Sequence, residues 1–241
     1  MGYLERVFRA TEEENRRQIL SLVPPGRGGS LLDIGIHDGS FAARVRDRLA
    51  ADRAVGVELI DERADAARGL GFEVVGADLD EGLPAGDAEF DWVNANQVIE
   101  HVRRTDVFVR EIRRVLKPGG TAWISTNNLS SWHNVMSLAL GWQPTPAHVS
   151  DEWIVGNPVD PWRDMPHPDA GHPHLRLFTG RALCELCERH GLECGELRTA
   201  GYYPLPPAIG RVAARIDRLH GAFLIGVFRA ASRAGRAGAG S

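Results

Sequence analysis

Three acids stand at or near the ends of short apolar runs. They are Asp33 in Leu31-Leu32-Asp33-Ile34-Gly35, Glu58 after Ala54-Val55-Gly56-Val57, and Asp78 after Phe72 to Ala77. Beyond the first run, Gly35-Ile36-His37-Asp38-Gly39-Ser40 forms a glycine turn, and Phe41, Ala42, Val45 and Leu49 then recur at helical spacing. A strand, turn and helix in that order let backbone N–H groups and a helix N-terminus approach a bound cofactor. His37 and Ser40 stand where a dinucleotide fingerprint would need glycine. In a doubly wound sheet, an acid about 20 residues beyond such a turn reaches the carboxyl edge and accepts both hydroxyls of a ribose. Glu58, with Leu59 behind it, has that spacing, and Asp78-Leu79 follows at the next strand end. The plainer alternative is a solvated acid that opens a helix or a turn.

Histidines are the candidate proton acceptors, because imidazole titrates near neutrality and suits a hydroxyl that must lose its proton. His133, His148, His167, His172 and His174 fall in one stretch. His174 precedes a segment that reads as ordered and is the first choice, with His133, close behind a strand, the second. The H-x4-H-x-H spacing matches no standard metal site, so no metal is expected. Cys184 and Cys187 lie on one helix and Cys194 beyond a turn, which reads as core packing without a disulfide framework. Gly-x-Ser-x-Gly, P-loop and His-Glu-x-x-His signatures are absent.

The elements that must position these residues read as one α/β domain. Residues 1–29 form a helical lead-in, with a capping box at Thr11 and Glu14, that covers the cofactor site or, more readily, shields a sheet edge. Residues 30–126 alternate strand and helix: strands end at Glu58, Ala77 and Asn96, an amphipathic helix capped by Thr105 runs to Lys117, and Pro118-Gly119-Gly120 leads into a strand at Thr121. Residues 127–177 lose that rhythm and hold Trp132, Trp142, Trp153 and Trp162, an aromatic content at odds with disorder. They read as a cap over the acceptor or as a cluster that braces its own loop. Residues 178–229 resume with a helix capped by Thr179 and two final strands, and residues 230–241 read as a flexible tail.

The first turn resembles the D-x-G-x-G-x-G motif of the class I S-adenosylmethionine (SAM) methyltransferases, with His37 replacing the middle glycine. Phe90 to Val102 and the Leu-Lys-Pro-Gly-Gly turn at 116–120 are similar to the same family, and a looser likeness runs through His174 to Thr179. The resemblance implies a Rossmann-like α/β, doubly wound seven-stranded sheet whose last two strands form an antiparallel edge. It implies SAM held by Asp33, Gly35, His37, Gly39, Glu58, Leu59, Asp78, Leu79, Asn94 and Asn96. Asp78 would meet the adenine amino group, Leu79 its ring, and Asn94 and Asn96 the methionine end or the acceptor. Glu100-His101 would open the next helix. Some ubiquinone-type O-methyltransferases carry Glu-x-x-Glu-His there and bind a divalent ion, but Gln97 stands at the first acid position.

The expected activity is methyl transfer to a small molecule, first of all to a hydroxyl of a sugar, glycolipid precursor or specialised metabolite. The alternative is a SAM-binding protein of the same fold that acts as a cyclase or a regulator. A net charge of −4 argues against nucleic acid as partner. No run long and apolar enough to span a membrane and no secretory leader is read, so a cytoplasmic protein is expected, with a homodimer open.

Overall fold

Five parallel strands fix the frame, and the computed structural model describes residues 2–166 and 173–231. In chain order the elements are α1 (Tyr3–Leu22), β1 (Ser30–Ile34), α2 (Ser40–Leu49), β2 (Arg53–Val57), α3 (Asp61–Gly69), β3 (Glu73–Val75) and β4 (Phe90–Asn96). They continue as α4 (Thr105–Val115), β5 (Leu116–Asn127), α5 (Trp132–Ala139), α6 (Gly180–Arg189), β6 (Leu192–Ala200), α7 (Pro207–Ile216) and β7 (Phe223–Ala230). The strands make a seven-stranded sheet in the order β3-β2-β1-β4-β5-β7-β6. Pairing is parallel from β3 through β5, and β7 runs antiparallel between β5 and β6. The order reverses between β1 and β4, and ligands of open α/β sheets bind in the crevice at such a point.

Apolar side chains alternate to both faces of the sheet and make two cores. One gathers Leu32, Ile34, Val93, Phe108, Ile112 and Leu183 under α4 and α6. The other gathers Phe8, Ile19, Leu31, Val45, Trp123 and Ile225 under α1 and α2. So α1 covers a face of the sheet rather than shielding an edge. Thr11 lies mid-helix and donates to the Val7 carbonyl at 2.9 Å, so it caps nothing.

Other boundaries also move. Thr105 is the first residue of α4, whose N-cap is Arg104. Leu116 already pairs with Phe90, so Pro118-Gly119-Gly120 falls inside β5, across the register shift between Phe90 and Trp92. β3 is three residues long because it is an edge strand paired only with β2. Thr179 does cap α6, accepting the Ala182 N–H at 3.3 Å. Cys184 of α6 and Cys194 of β6 form a disulfide, their Cα atoms 5.6 Å apart, whereas the sequence reading expected three thiols. The hairpin-like return at Gly191 brings helix and strand side by side, a pairing that spacing alone does not reveal. Cys187 stays free and buried. His167, His172 and nearly all of the tail lie outside the described residues.

Candidate functional site

The glycine turn is built by packing. Gly35 has φ +69° and a Cβ there would stand 2.7 Å from Val98 Cγ2, while Gly39 has φ +78° and lies against the Ala67 backbone. Only a residue without a side chain fits either place. His37 also sits in the left-handed region, at φ +55°. That conformation explains why the motif favours glycine here, and histidine is among the side chains that tolerate it. Its imidazole points outward, with Nδ1 3.6 Å from the Asp38 carboxylate. Asp38 accepts the hydroxyl and the backbone N–H of Ser40, and these two bonds hold its carboxyl below the usual range.

Glu58 closes β2 and is buried. Its Oε2 accepts the His37 N–H and its Oε1 the Ile60 N–H, each at 3.0 Å. A carboxylate oxygen has two lone pairs, so each still offers one to a diol. Leu59 beside it is 59% exposed, an apolar surface set at the crevice. Asp78 is exposed, and its Oδ1 accepts the Asp80 N–H at 2.9 Å. Leu79 packs at the margin of the core. The glycine cradle, the two acids and the two leucines thus all follow the carboxyl ends of β1, β2 and β3.

Asp33 and Asn94 lie side by side on adjacent strands. They pair in register across β1 and β4, Asn94 Nδ2 donates to Asp33 Oδ2 at 2.7 Å, and they are only 4% and 1% exposed. Burial pushes the Asp33 carboxyl up to about 7, against the lowering effect of Asn94. Asn94 Oδ1 is buried without a partner, an acceptor still open at the strand end. Asn96 accepts from Asn15 of α1 at 2.9 Å, and Asn15 Oδ1 accepts from Ser125 at 3.0 Å. Asn15 is the residue that the sequence reading missed. It is a buried polar side chain in the middle of a helix, and the charged run Glu12 to Arg17 around it gave no sign of that.

Past β4, Gln97 adopts φ +58° and residues 98–101 form a turn, so Glu100-His101 does not open a helix. Glu100 is fully buried. Its carboxylate accepts from Thr126 Oγ1 at 2.9 Å, and its carbonyl accepts the Leu175 and Arg176 N–H groups. With its amide turned to satisfy both ends, Gln97 donates to Glu100 Oε1 at 3.2 Å. The same knot brings in His174, whose ring centroid lies 4.9 Å from that of His101 and 5.4 Å from that of His148. Ligand atoms of Glu100, His101 and His174 lie within 4.8 Å of one another, close enough to share a cation, although no metal was expected. His174 Nδ1 meets the Pro146 carbonyl at 3.0 Å.

His133 stands elsewhere, on α5 just beyond the end of β5. It lines a cavity of about 1020 Å³ together with Trp132, Trp142, Tyr202, Tyr203 and His220. Its ring meets Tyr203 edge-on at 5.3 Å, and burial lowers its pKa to about 4. Tyr203 packs on Phe8, and Phe8 on Trp162, so the N-terminal end of α1 and the cap meet at this wall. Next to it, burial raises Asp160 to about 6. The two histidines singled out from sequence thus belong to two separate clusters at the same end of the sheet.

A family model described as a methyltransferase domain matches residues 3–197. The chain belongs to that family. It is 32% identical over 180 residues to the ubiquinone biosynthesis O-methyltransferase of Cereibacter sphaeroides, across 72% of this chain and 64% of that one. It is 33% identical over 109 residues to the bifunctional methionine biosynthesis protein MetXA/MetW of Rhodopirellula baltica, across 42% of this chain and 17% of that one. The chain therefore spans less than two thirds of the length of either relative. Among solved structures, a putative methyltransferase of Haloferax volcanii, in complex with its Trm112 activator, superposes with a TM-score of 0.65 at 18% identity, over 94% of this chain and 92% of that one. The sheet order, the glycine cradle and the family agree on a SAM-dependent methyltransferase domain.

Proposed function

We propose that this domain methylates a hydroxyl on a small molecule with an apolar body. The observation that carries the reading is the aromatic cavity of about 1020 Å³ that opens at the same end of the sheet as Glu58. Ligand sites commonly enclose about 300–1,000 Å³, so this one suits a bulky acceptor. Among sugars, glycolipid precursors and specialised metabolites, its tryptophan and tyrosine wall favours those that present an apolar face. The Cereibacter relative, an O-methyltransferase by name, supports an oxygen acceptor.

SAM supplies an electrophilic methyl group on a sulfonium. The protein then has to align the acceptor, keep water out and receive the hydroxyl proton. Glu58 and Asp78 hold the nucleoside, the Gly35 to Gly39 turn with His37 holds the amino-acid end, and the cap residues 127–166 close over the acceptor. His133 is the base in this reading. Its lowered pKa leaves it neutral at physiological pH, with a lone pair on the cavity wall. His174 is the rival, bound into the Glu100 and His101 cluster.

The test is incorporation of label from methyl-labelled SAM into fractionated metabolite extracts. Label should enter an organic-extractable product, and His133→Ala should cut turnover roughly a hundredfold or more with unchanged affinity for S-adenosylhomocysteine. The acid limb of kcat/KM should lie nearer pH 4 than 6.5. SAM binding without incorporation into any fraction would favour the cyclase or regulatory alternative, and loss of turnover in His174→Ala alone would move the base to His174.

A further inference from the structure

Helix α5 is built inside out. Its polar residues Asn134 and Ser137 are buried, bonded to the Asn128 carbonyl and to Asn157, while Trp132, Val135, Met136 and Leu138 are exposed. Helix α7 likewise turns Ile209, Val212 and Ile216 outward, at 55%, 55% and 85% exposure. Their i, i+3, i+7 spacing is the stripe that a surface helix normally buries. The large apolar cavity lies between these helices, with Trp132, Met136 and Ile216 shared between its lining and the outer surface. A soluble domain seldom exposes a continuous apolar face of this kind unless something docks there.

Charge selects the occupant. Neither α5 nor α7 contains an acid, in a chain whose net charge is −4. Exposed Arg218 lines the cavity, and exposed Arg211 lies on α7 between Ile209 and Val212. Of the acids beside them, Asp217 is taken up by Trp132 Nε1, His220 and the Leu219 N–H, and Glu14, which shares a cleft with Arg211, by Arg17 and Gln18. A second copy docked through the same face would set arginine against arginine. An anionic lipid surface instead meets arginines with phosphate and the apolar stripe with acyl chains, and an exposed tryptophan whose indole N–H is already bonded suits that boundary. We propose that α5 and α7 form a docking face for an anionic bilayer, so that the cavity mouth opens onto the membrane surface. The proposal concerns where the domain meets its acceptor and holds whether or not methyl transfer is the reaction.

Sedimentation with vesicles tests it, using the full chain. The protein should pellet with phosphatidylcholine vesicles containing about a third phosphatidylglycerol, and several-fold less with phosphatidylcholine alone. The triple variant Ile209→Ser, Val212→Ser, Ile216→Ser should bind the anionic vesicles roughly tenfold or more weakly. The pair Arg211→Glu, Arg218→Glu should bind comparably weakly at low salt, and high salt should narrow its difference from the unaltered chain. Calorimetric affinity for S-adenosylhomocysteine should stay unchanged in both variants, which shows that they fold. Absence of binding to either vesicle, unchanged binding by the triple variant, or a dimer in light scattering that the triple variant breaks would each overturn the docking face. Lost S-adenosylhomocysteine binding by the unaltered chain would count against the proposed function instead.

Discussion

His37 shows how one residue records the backbone beneath it. The turn demands φ near +55°, where a side chain with Cβ branching is strained and glycine is at ease. His37→Gly should therefore keep S-adenosylhomocysteine affinity within a few-fold, and His37→Val should lower unfolding free energy by about 1–2 kcal/mol. Equal stability of the two variants in urea melts would contradict this account. Asp33 makes a second residue-scale case. Burial raises its folded-state pKa to about 7 from 3.8, so the folded protein holds a proton that the unfolded chain releases. Its favourable contribution is complete below pH 3.8 and is lost as pH rises towards 7. Asp33→Asn removes that loss. Relative to the unaltered protein it should gain stability with rising pH, at up to about 1.4 kcal/mol per unit between pH 4 and 7, and level off above. A difference independent of pH would refute the shift. His133 has the opposite sense. With a folded pKa of about 4 it costs stability as pH falls below 6.5, so only the difference between variant and parent isolates Asp33.

At the scale of elements, α1 is tied to the crevice by one polar residue. Asn15 bridges Asn96 at the end of β4 and Ser125 in β5, the second bond buried and the first half-buried. Asn15→Ala should cost about 1–3 kcal/mol, since it takes a partner from the buried Ser125 hydroxyl and from Asn96. By freeing Asn96 it should also weaken S-adenosylhomocysteine binding, and loss of stability without loss of affinity would confine Asn15 to a structural role. Much of this element layer was legible in sequence. The apolar strand that leads to Glu58, the Thr179 cap and the amphipathic α4 follow from local spacing, which reports local structure directly. The rest depends on long-range contacts. Asp33 and Asn94 are 61 residues apart, and nothing near either shows that they face each other across two strands. The pairing of Cys184 with Cys194 and the knot joining Glu100 to Leu175 are hidden for the same reason. Helix α5 escaped notice because its apolar residues point outward, against the pattern by which helices are recognised.

At the scale of the whole molecule, the crevice between β1 and β4 joins two cores that otherwise meet only through the sheet. A ligand held by Glu58 from β2, by the turn after β1 and by Asp78 beyond β3 links three strand ends at once, so its binding should be felt as global stability. A ligand that binds only the folded state adds about 2.7 kcal/mol at a concentration one hundred times its Kd. For a chain of 241 residues this predicts a rise in Tm of about 5–10 °C with saturating S-adenosylhomocysteine. In the proposed ribose-binding role, Glu58→Ala removes two charge-assisted bonds, about 1.5–3 kcal/mol each, and at the same ligand concentration should abolish most of that rise. The variant also releases the His37 and Ile60 N–H groups that Glu58 holds, so its ligand-free Tm should fall as well. The two effects separate in a differential scanning experiment. A lower ligand-free Tm with the full ligand-dependent rise retained would mean that Glu58 holds the loop and not the ribose.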